Sequence, residues 1–364
     1  PLHGLPFTVK DWIETNDLPC AGGVEERRDY IPKHDATAVA RLRAAGAILL
    51  GKTKPGLDDA VYPPSRNPFD LARTPGASSA GEAAIIAAGG SPLGLGSDSG
   101  GSLRWPAHCC GIATIKPTTG LVPLTGHFPR IIPMSDPRTV IGPMARTVDD
   151  LSLALRLITG PDGRDASVVP IPVGDPARVR VEDLRVAFYT AMPGAAPSDA
   201  TVTAVTSACR ALQSAGAVVE GAAPERLDES LPITQAYWAR PESTEMNRWA
   251  PLRGSSLTAD EVEESLFQWD RFRRSMLAFL GRYDLIVCPV ASGPAPLRSE
   301  SVTGETYRLM LPFSLTGNPV VVVRAGTEDG LPIGVQVVAR NWEDATALAA
   351  ASVIERACGP WAPP

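Results

Sequence analysis

Residues 73–120 read RTPGASSAGEAAIIAAGGSPLGLGSDSGGSLRWPAHCCGIATIKPTTG, and this stretch narrows the folds open to the chain. The Ala-rich run 81–88 has the composition of a buried helix, and Gly89-Gly90 ends it. Leu93-Gly94-Leu95-Gly96 then leads into Ser97-Asp98-Ser99-Gly100-Gly101-Ser102, a cluster of small polar residues. A first serine cluster, Ser78-Ser79, stands at the other end of the helix. Two polar clusters thus bracket one short apolar helix-and-strand unit. Units of this kind, joined by short connections, indicate a sheet covered by helices.

The same alternation runs along the rest of the chain. Residues 5–9 form an extended apolar run, 36–45 a short helix closed by Gly46, and 47–50 a buried strand. Thr147, with Asp150 three residues on, caps a helix whose Leu151, Leu155 and Ile158 share one face until Gly160-Pro161 stops it. Residues 185–189 read as a strand, and Ser198 opens a helix carrying Val202, Val205, Cys209 and Leu212. Residues 228–282 are helical, with Trp238, Trp249, Phe267, Trp269 and Phe272 interspersed; these either line a pocket or pack the core. Strands follow at 285–290, 320–323 and 333–338, and a helix at 343–357 closes the pattern. The expected fold is α/β: a mixed, mostly parallel central sheet with helices on both faces. No linker divides the chain, so residues 1–364 are expected to form a single domain.

Composition excludes several classes of partner. The net charge is −6 with no long Lys/Arg run, which argues against nucleic acid and anionic membrane. No apolar run approaches the roughly 18 residues of a membrane span. Six cysteines (Cys20, Cys109, Cys110, Cys209, Cys288, Cys358) show no C-x-x-C pair, which suits reduced thiols and a cytoplasmic location. Only five lysines occur, so Lys10, set between an apolar run and Asp11, stands out.

Two serine clusters invite acyl transfer, and a serine hydroxyl needs a base to become a nucleophile. Neither a G-x-S-x-G elbow nor an S-x-x-K pair is present, and GLGSDSGG lacks the spacing of a dinucleotide loop. Residues 46–53 (GAILLGKT) match the phosphate-binding pattern G-x-x-x-x-G-K-[ST], but the middle four are Ala-Ile-Leu-Leu. Those residues read as a strand, and Pro55-Gly56 follows where a helix should start. What remains is Lys10. Burial favours the neutral amine, which accepts a proton, and Ser-Lys pairs are known variants of the serine triad.

The chain resembles the amidase signature family, serine hydrolases that cleave carboxamides. Residues 4–11 are similar to its G-I-P-V-x-x-K-D, 76–83 to G-G-S-S-G-G-S-A, and 97–106 to T-D-T-G-G-S-I-R-x-P. Residues 142–147, 283–289 and 330–336 resemble G-P-M-A-R-T, Y-D-x-x-x-x-P and G-L-P-x-G-V-Q in the same order. The resemblance implies Ser102 as nucleophile, Ser78 as relay and Lys10 as base. It implies a cis Ala77–Ser78 peptide, and an oxyanion hole of Ser99, Gly100, Gly101 and Ser102 backbone N–H groups. Ser79 is expected to support the site, and Asp98 with Arg104 to form an ion pair holding the loop. Cys109-Cys110 and His108 are expected to be structural.

The sequence also departs from the family pattern. Ala80 replaces Gly or Ser, Glu82 stands where many members have Ser, and residues 54–66 are shorter. The helical segment that precedes the lysine motif in the family is expected to be absent. The implied substrate is a small-molecule amide or ester, with no cofactor or metal, and a homodimer is compatible with this reading. Two alternatives use the same triad. One is an amidotransferase component that takes ammonia from glutamine, against which Tyr307 stands where an Asp is expected. The other is a C–N bond-forming enzyme in which an amine outcompetes water.

Overall fold

The computed structural model describes residues 1–56, 61–131, 136–238, 258–359 and 361–364. Ten strands within them form one sheet. In chain order they are β1 (Pro6–Lys10), β2 (Ile48–Thr53), β3 (Leu93–Asp98), β4 (Ala113–Lys116), β5 (Val140–Ala145), β6 (Arg185–Phe188), β7 (Val218–Gly221), β8 (Leu285–Pro289), β9 (Val320–Glu328) and β10 (Leu331–Ala339). Side by side the order is β2-β1-β3-β5-β4-β9-β10-β8-β6-β7.

The sheet is mixed, but parallel pairing is less dominant than the sequence led us to expect. It occupies the two flanks, where β1 pairs with β2 and β3, and β6 with β7 and β8. From β3 to β8 the neighbours run antiparallel, through β5, β4, β9 and β10. The reason is local for one pair: Asp329 and Gly330, with φ of 51° and 81°, form the tight turn that folds β9 and β10 into a hairpin.

Alternation along the strands sorts the core into two layers. Val321, Val323, Val335 and Val337 face the helices Thr37–Ala44, Val148–Ile158, Asp199–Ser214 and Asp344–Cys358. On the opposite face Val322 meets Ile86, Leu103 and Trp105, and Val338 meets Phe272, Phe279 and Phe313. These belong to the helices Ala80–Ala87, Arg104–Cys110, Ala259–Leu280 and Leu311–Thr316 and their flanks. The expected caps form, Thr147 accepting from the Asp150 amide and Ser198 from that of Thr201. No helix of the described residues is long and apolar enough to cross a membrane.

Three features differ from expectation. The strand expected to be buried at 47–50 is the sheet edge β2, with Ile48 and Leu50 each 55 % exposed. β2 is continuous through Lys52, so the phosphate-loop look-alike is a strand and offers no cradle of amides. In the aromatic-rich stretch, Trp269 and Phe272 pack the core while Phe267 is exposed. Trp249 and the side chain of Trp238 lie outside the described residues.

The Leu-Gly-Leu-Gly run of β3 explains how the serine clusters come together. Leu93 and Leu95 face one layer, while Gly94 and Gly96 leave room on the other. A Cβ on Gly94 would lie 1.9 Å from Glu82 Oε1, and one on Gly96 2.8 Å from Ser79 Oγ. The helix Ala80–Ala87 therefore rests directly on the strand backbone. Gly94→Ala should cost about 1–3 kcal/mol through overpacking, read from urea unfolding. A loss below about 0.5 kcal/mol would mean that the helix is not tightly seated.

Candidate active site

Lys10 ends β1, between β2 and β3, and is fully buried. Its Nζ lies 2.6 Å from Ser78 Oγ and 2.9 Å from Ser97 Oγ, over the Trp12 ring at 4.0 Å. Among the described residues no carboxylate reaches ion-pair distance of it. Burial drives its pKa well below the ordinary lysine value, against the more distant attraction of Asp98 and Glu82. A cation left without a partner in an apolar interior gives up its proton.

Ser78 and Ser79 lie in the turn before the helix Ala80–Ala87. That turn is pressed against the helix Arg104–Cys110: Gly76 has φ 109°, and a Cβ there would lie 2.5 Å from Pro106 Cα. The Ala77–Ser78 peptide is trans, not cis as the resemblance implied; Phe128–Pro129 is cis. A non-proline cis bond is costly, and Gly76 supplies the sharp bend in this turn. Ser79 occupies the helix N-cap position, yet its hydroxyl does not cap the helix. It donates to the Ser97 carbonyl at 3.2 Å, tying the turn to β3.

Ser102 is half-buried in the loop after β3. Among the described residues no hydrogen bond joins its Oγ to Ser78, so the expected link between nucleophile and relay is open. Ser78 is drawn instead to Lys10. Hydrogen bonds of this kind commonly close only around a substrate.

The loop is held by Asp98. Its carboxylate accepts from the Gly101 amide at 2.8 Å, the Leu103 amide at 3.1 Å and the Arg104 side chain at 3.0 Å. The Arg104 guanidinium also donates to Met310 O, Gln336 Oε1 and Ser314 Oγ at 2.7–3.0 Å, so all its N–H groups are engaged. Both side chains are fully buried. Burial would raise the Asp98 carboxyl, but the charge and hydrogen bonds of Arg104 hold it below the usual range. The expected structural ion pair is found. Of the four N–H groups expected to form the oxyanion hole, that of Gly101 points at Asp98.

Around this centre the remaining groups fall into place. His108 bridges Gly293 O at 2.9 Å and the Gly334 amide at 3.0 Å, a structural role. Cys109 and Cys110 are buried thiols whose pKa burial pushes up, so neither competes as nucleophile. Glu82 accepts from the hydroxyls of Thr8 and Thr53, and burial lifts its carboxyl to about 7. Sequence reasoning missed Ser97, Trp12 and His127, whose Nε2 lies 3.0 Å from Ser97 Oγ. It also missed Thr139, 2.7 Å from Ser99 Oγ, and the buried Arg138–Asp136 pair at 2.9 Å beside it. Only Ser97 had a sequence signal, as the first residue of the second cluster. Tyr307 and Met310 wall the loop: a Cβ on Gly101 would lie 3.3 Å from Tyr307 Cδ1 and 2.7 Å from Met310 Sδ. Tyr307 meets Trp105 edge to face at 5.5 Å.

Asp98→Asn keeps the shape of the loop but leaves Arg104 charged and buried. It should lower stability by about 3–5 kcal/mol in denaturant unfolding. A change under about 1 kcal/mol would show that the other acceptors suffice for Arg104.

The chain has clear relatives. The family model described as Amidase matches residues 1–348. An acylamidase of Rhodococcus erythropolis is 34% identical, over 100% of this chain and 83% of its own. A glutamyl-tRNA(Gln) amidotransferase component of Exiguobacterium sibiricum is 31% identical, over 100% and 86%. Among solved structures, 6-aminohexanoate cyclic dimer hydrolase complexed with substrate superposes with a TM-score of 0.85 at 25% identity, covering 98% of this chain and 85% of that one. The chain belongs to the amidase family, the amidase signature enzymes to which its motifs pointed.

Proposed function

We propose that the protein hydrolyses a carboxamide C–N bond through an acyl-enzyme on Ser102, with Ser78 as relay and Lys10 as base. The observation that carries this is Lys10: fully buried, beyond ion-pair reach of any described carboxylate, and 2.6 Å from Ser78 Oγ. Neutral Lys10 takes the Ser78 proton while Ser78 takes that of Ser102, and Ser102 Oγ attacks the amide carbon. The N–H groups of Ser99, Gly100 and Ser102 receive the developing oxyanion. The proton returns through Ser78 to the leaving nitrogen, the C–N bond breaks, and water repeats the sequence on the ester.

Tyr307, Met310 and Trp105 beside the loop favour an apolar acyl group. The amidotransferase relatives keep glutamine as a second substrate to test, but an aromatic ring at Tyr307 offers no carboxylate for its ammonium group. An acceptor amine in place of water would use the same steps. Lys10, Ser78 and Ser102 stand on or beside the flank β1-β3 of one sheet, which supports reading residues 1–364 as one catalytic domain. Six free cysteines support a reducing, cytoplasmic setting. We add a small-molecule amide or ester as substrate, with neither nucleic acid nor membrane as partner.

Ser102→Ala should abolish the acyl-enzyme, seen by mass spectrometry with a slow ester or amide, with the fold intact by circular dichroism. Undiminished turnover would refute Ser102. Activity should rise with pH through the depressed Lys10 pKa. Lys10→Met should lower turnover by ~10³-fold or more, with amides hit harder than matched esters because the relay also protonates the amine.

Stability gives a separate check of the same lysine. An unfolded lysine keeps its proton to about pH 10.4. Folded Lys10 loses it earlier, so between the two pKa values the unfolded state binds more protons and stability climbs with pH. In Lys10→Met that climb should be absent from pH-dependent unfolding; an unchanged climb would place a charged, paired lysine at this position.

A further inference from the structure

Three neighbours and Cε surround Lys10 Nζ. The neighbours are Ser78 Oγ at 2.6 Å, Ser97 Oγ at 2.9 Å and the Trp12 ring at 4.0 Å. A neutral amine has two N–H groups and one lone pair. Lys10 can take a proton from Ser78 only if the lone pair, and neither N–H, faces that hydroxyl. Nothing in Lys10 itself decides this.

The decision is made further along a hydrogen-bond chain. Pro129 O lies 3.0 Å from His127 Nδ1, and a carbonyl can only accept. Nδ1 therefore carries the hydrogen, and in the neutral ring Nε2 is bare. Ser97 Oγ, 3.0 Å from Nε2, gives its single hydrogen to it. Ser97 then meets Lys10 only through oxygen lone pairs, so Lys10 must donate to Ser97. The face of the Trp12 ring attracts N–H and repels a lone pair. The indole is itself fixed by its N–H bond to Gly22 O at 2.9 Å. Both amine hydrogens are thus assigned, and the lone pair is left for Ser78.

We propose that His127 is a positioning residue. By accepting the Ser97 hydrogen on Nε2 while donating from Nδ1 to Pro129 O, it turns the lone pair of neutral Lys10 onto Ser78. The inference rests on Lys10 being the base. His127 is buried and stacked edge-on to Trp12. Burial lowers its pKa to about 4; the Pro129 carbonyl and the charge of Asp136 oppose this, and that of Lys10 adds to it. Burial thus favours the neutral ring, the form in which the chain has this direction. The charged groups bearing on Lys10 itself are Glu82 and Asp98, and neither touches His127.

The first test needs no turnover. With histidine nitrogens labelled in the wild-type protein, and His127 assigned by its loss in His127→Gln, NMR should show the Nδ1–H tautomer across the working pH range. An Nε2–H tautomer, or an imidazolium at a pH of full activity, overturns the proposal. Because this readout is independent of catalysis, it is distinguishable from failure of the amidase reading, which Ser102→Ala decides.

The second test is kinetic. His127→Phe should lower kcat by ~10–100-fold with little change in KM. It should also move the acid limb of the pH profile to lower pH, because the Ser97 oxygen becomes a weaker acceptor for the ammonium form. His127→Gln, whose amide can hold the same donor and acceptor order, should recover most of the rate. In a Ser97→Ala background His127→Phe should add no more than about twofold. An unmoved acid limb, or full additivity with Ser97→Ala, overturns the proposal. Should His127→Phe not fold, the NMR tautomer and the His127→Gln rate remain decisive.

Discussion

The Asp98 carboxylate is the interaction on which the rest of the site depends. It ends β3 and gathers the amides of the following turn, so that the loop carrying Ser102 has one shape. Through Arg104 the same carboxylate reaches β10 at Gln336 and the helix Leu311–Thr316 at Ser314, more than 200 residues along the chain. Gln336 in turn donates to Pro289 O and Leu309 O at 2.8 and 3.0 Å. Four separate segments thus meet at one buried ion pair. Such a pair adds little net stability, since desolvation offsets the attraction, but removing one partner leaves an uncompensated charge. Its contribution is to fix where the loop amides point.

Arg104 and Lys10 are both buried basic side chains of the site, under opposite rules. Arg104 is saturated with acceptors, cannot lose its proton, and is therefore a fixed strut. Lys10 is equally buried, but its contacts are two hydroxyls and a ring face, and no contact carries negative charge. The difference of environment, more than of residue type, separates scaffold from reactive group. Glu82, held by two threonine hydroxyls beneath β3, ties the helix to β1 and β2.

Much of the fold was legible where side-chain pattern alone decides structure. The β-branched runs of β9 and β10, the capped helices, and Lys10 beside an apolar strand announce themselves. β5 did not, because Gly142 and Pro143 lie in its middle; the Pro143 carbonyl still accepts from Thr114 at 2.9 Å. β2 read as buried because its residues are apolar, and only the strand order reveals it as an edge. The resemblance placed the Gly101 amide in the oxyanion hole; which way it points depends on a carboxylate three residues earlier. His127 carried no spacing signal at all. It reaches Ser97 across 30 positions of sequence, and its role depends on the hydrogen of a hydroxyl between it and Lys10.

The close seating of Glu82 over Gly94 also constrains the order in which this chain can change. The carboxylate fills the space a β-carbon at 94 would need, and it is the shared acceptor of Thr8 and Thr53. Enlargement at 94 is therefore open only after Glu82 has shortened, while shortening Glu82 first strands two hydroxyls. The two positions form an epistatic lock, so lineages carrying glutamate here should retain glycine opposite it long after the surrounding surface has diverged.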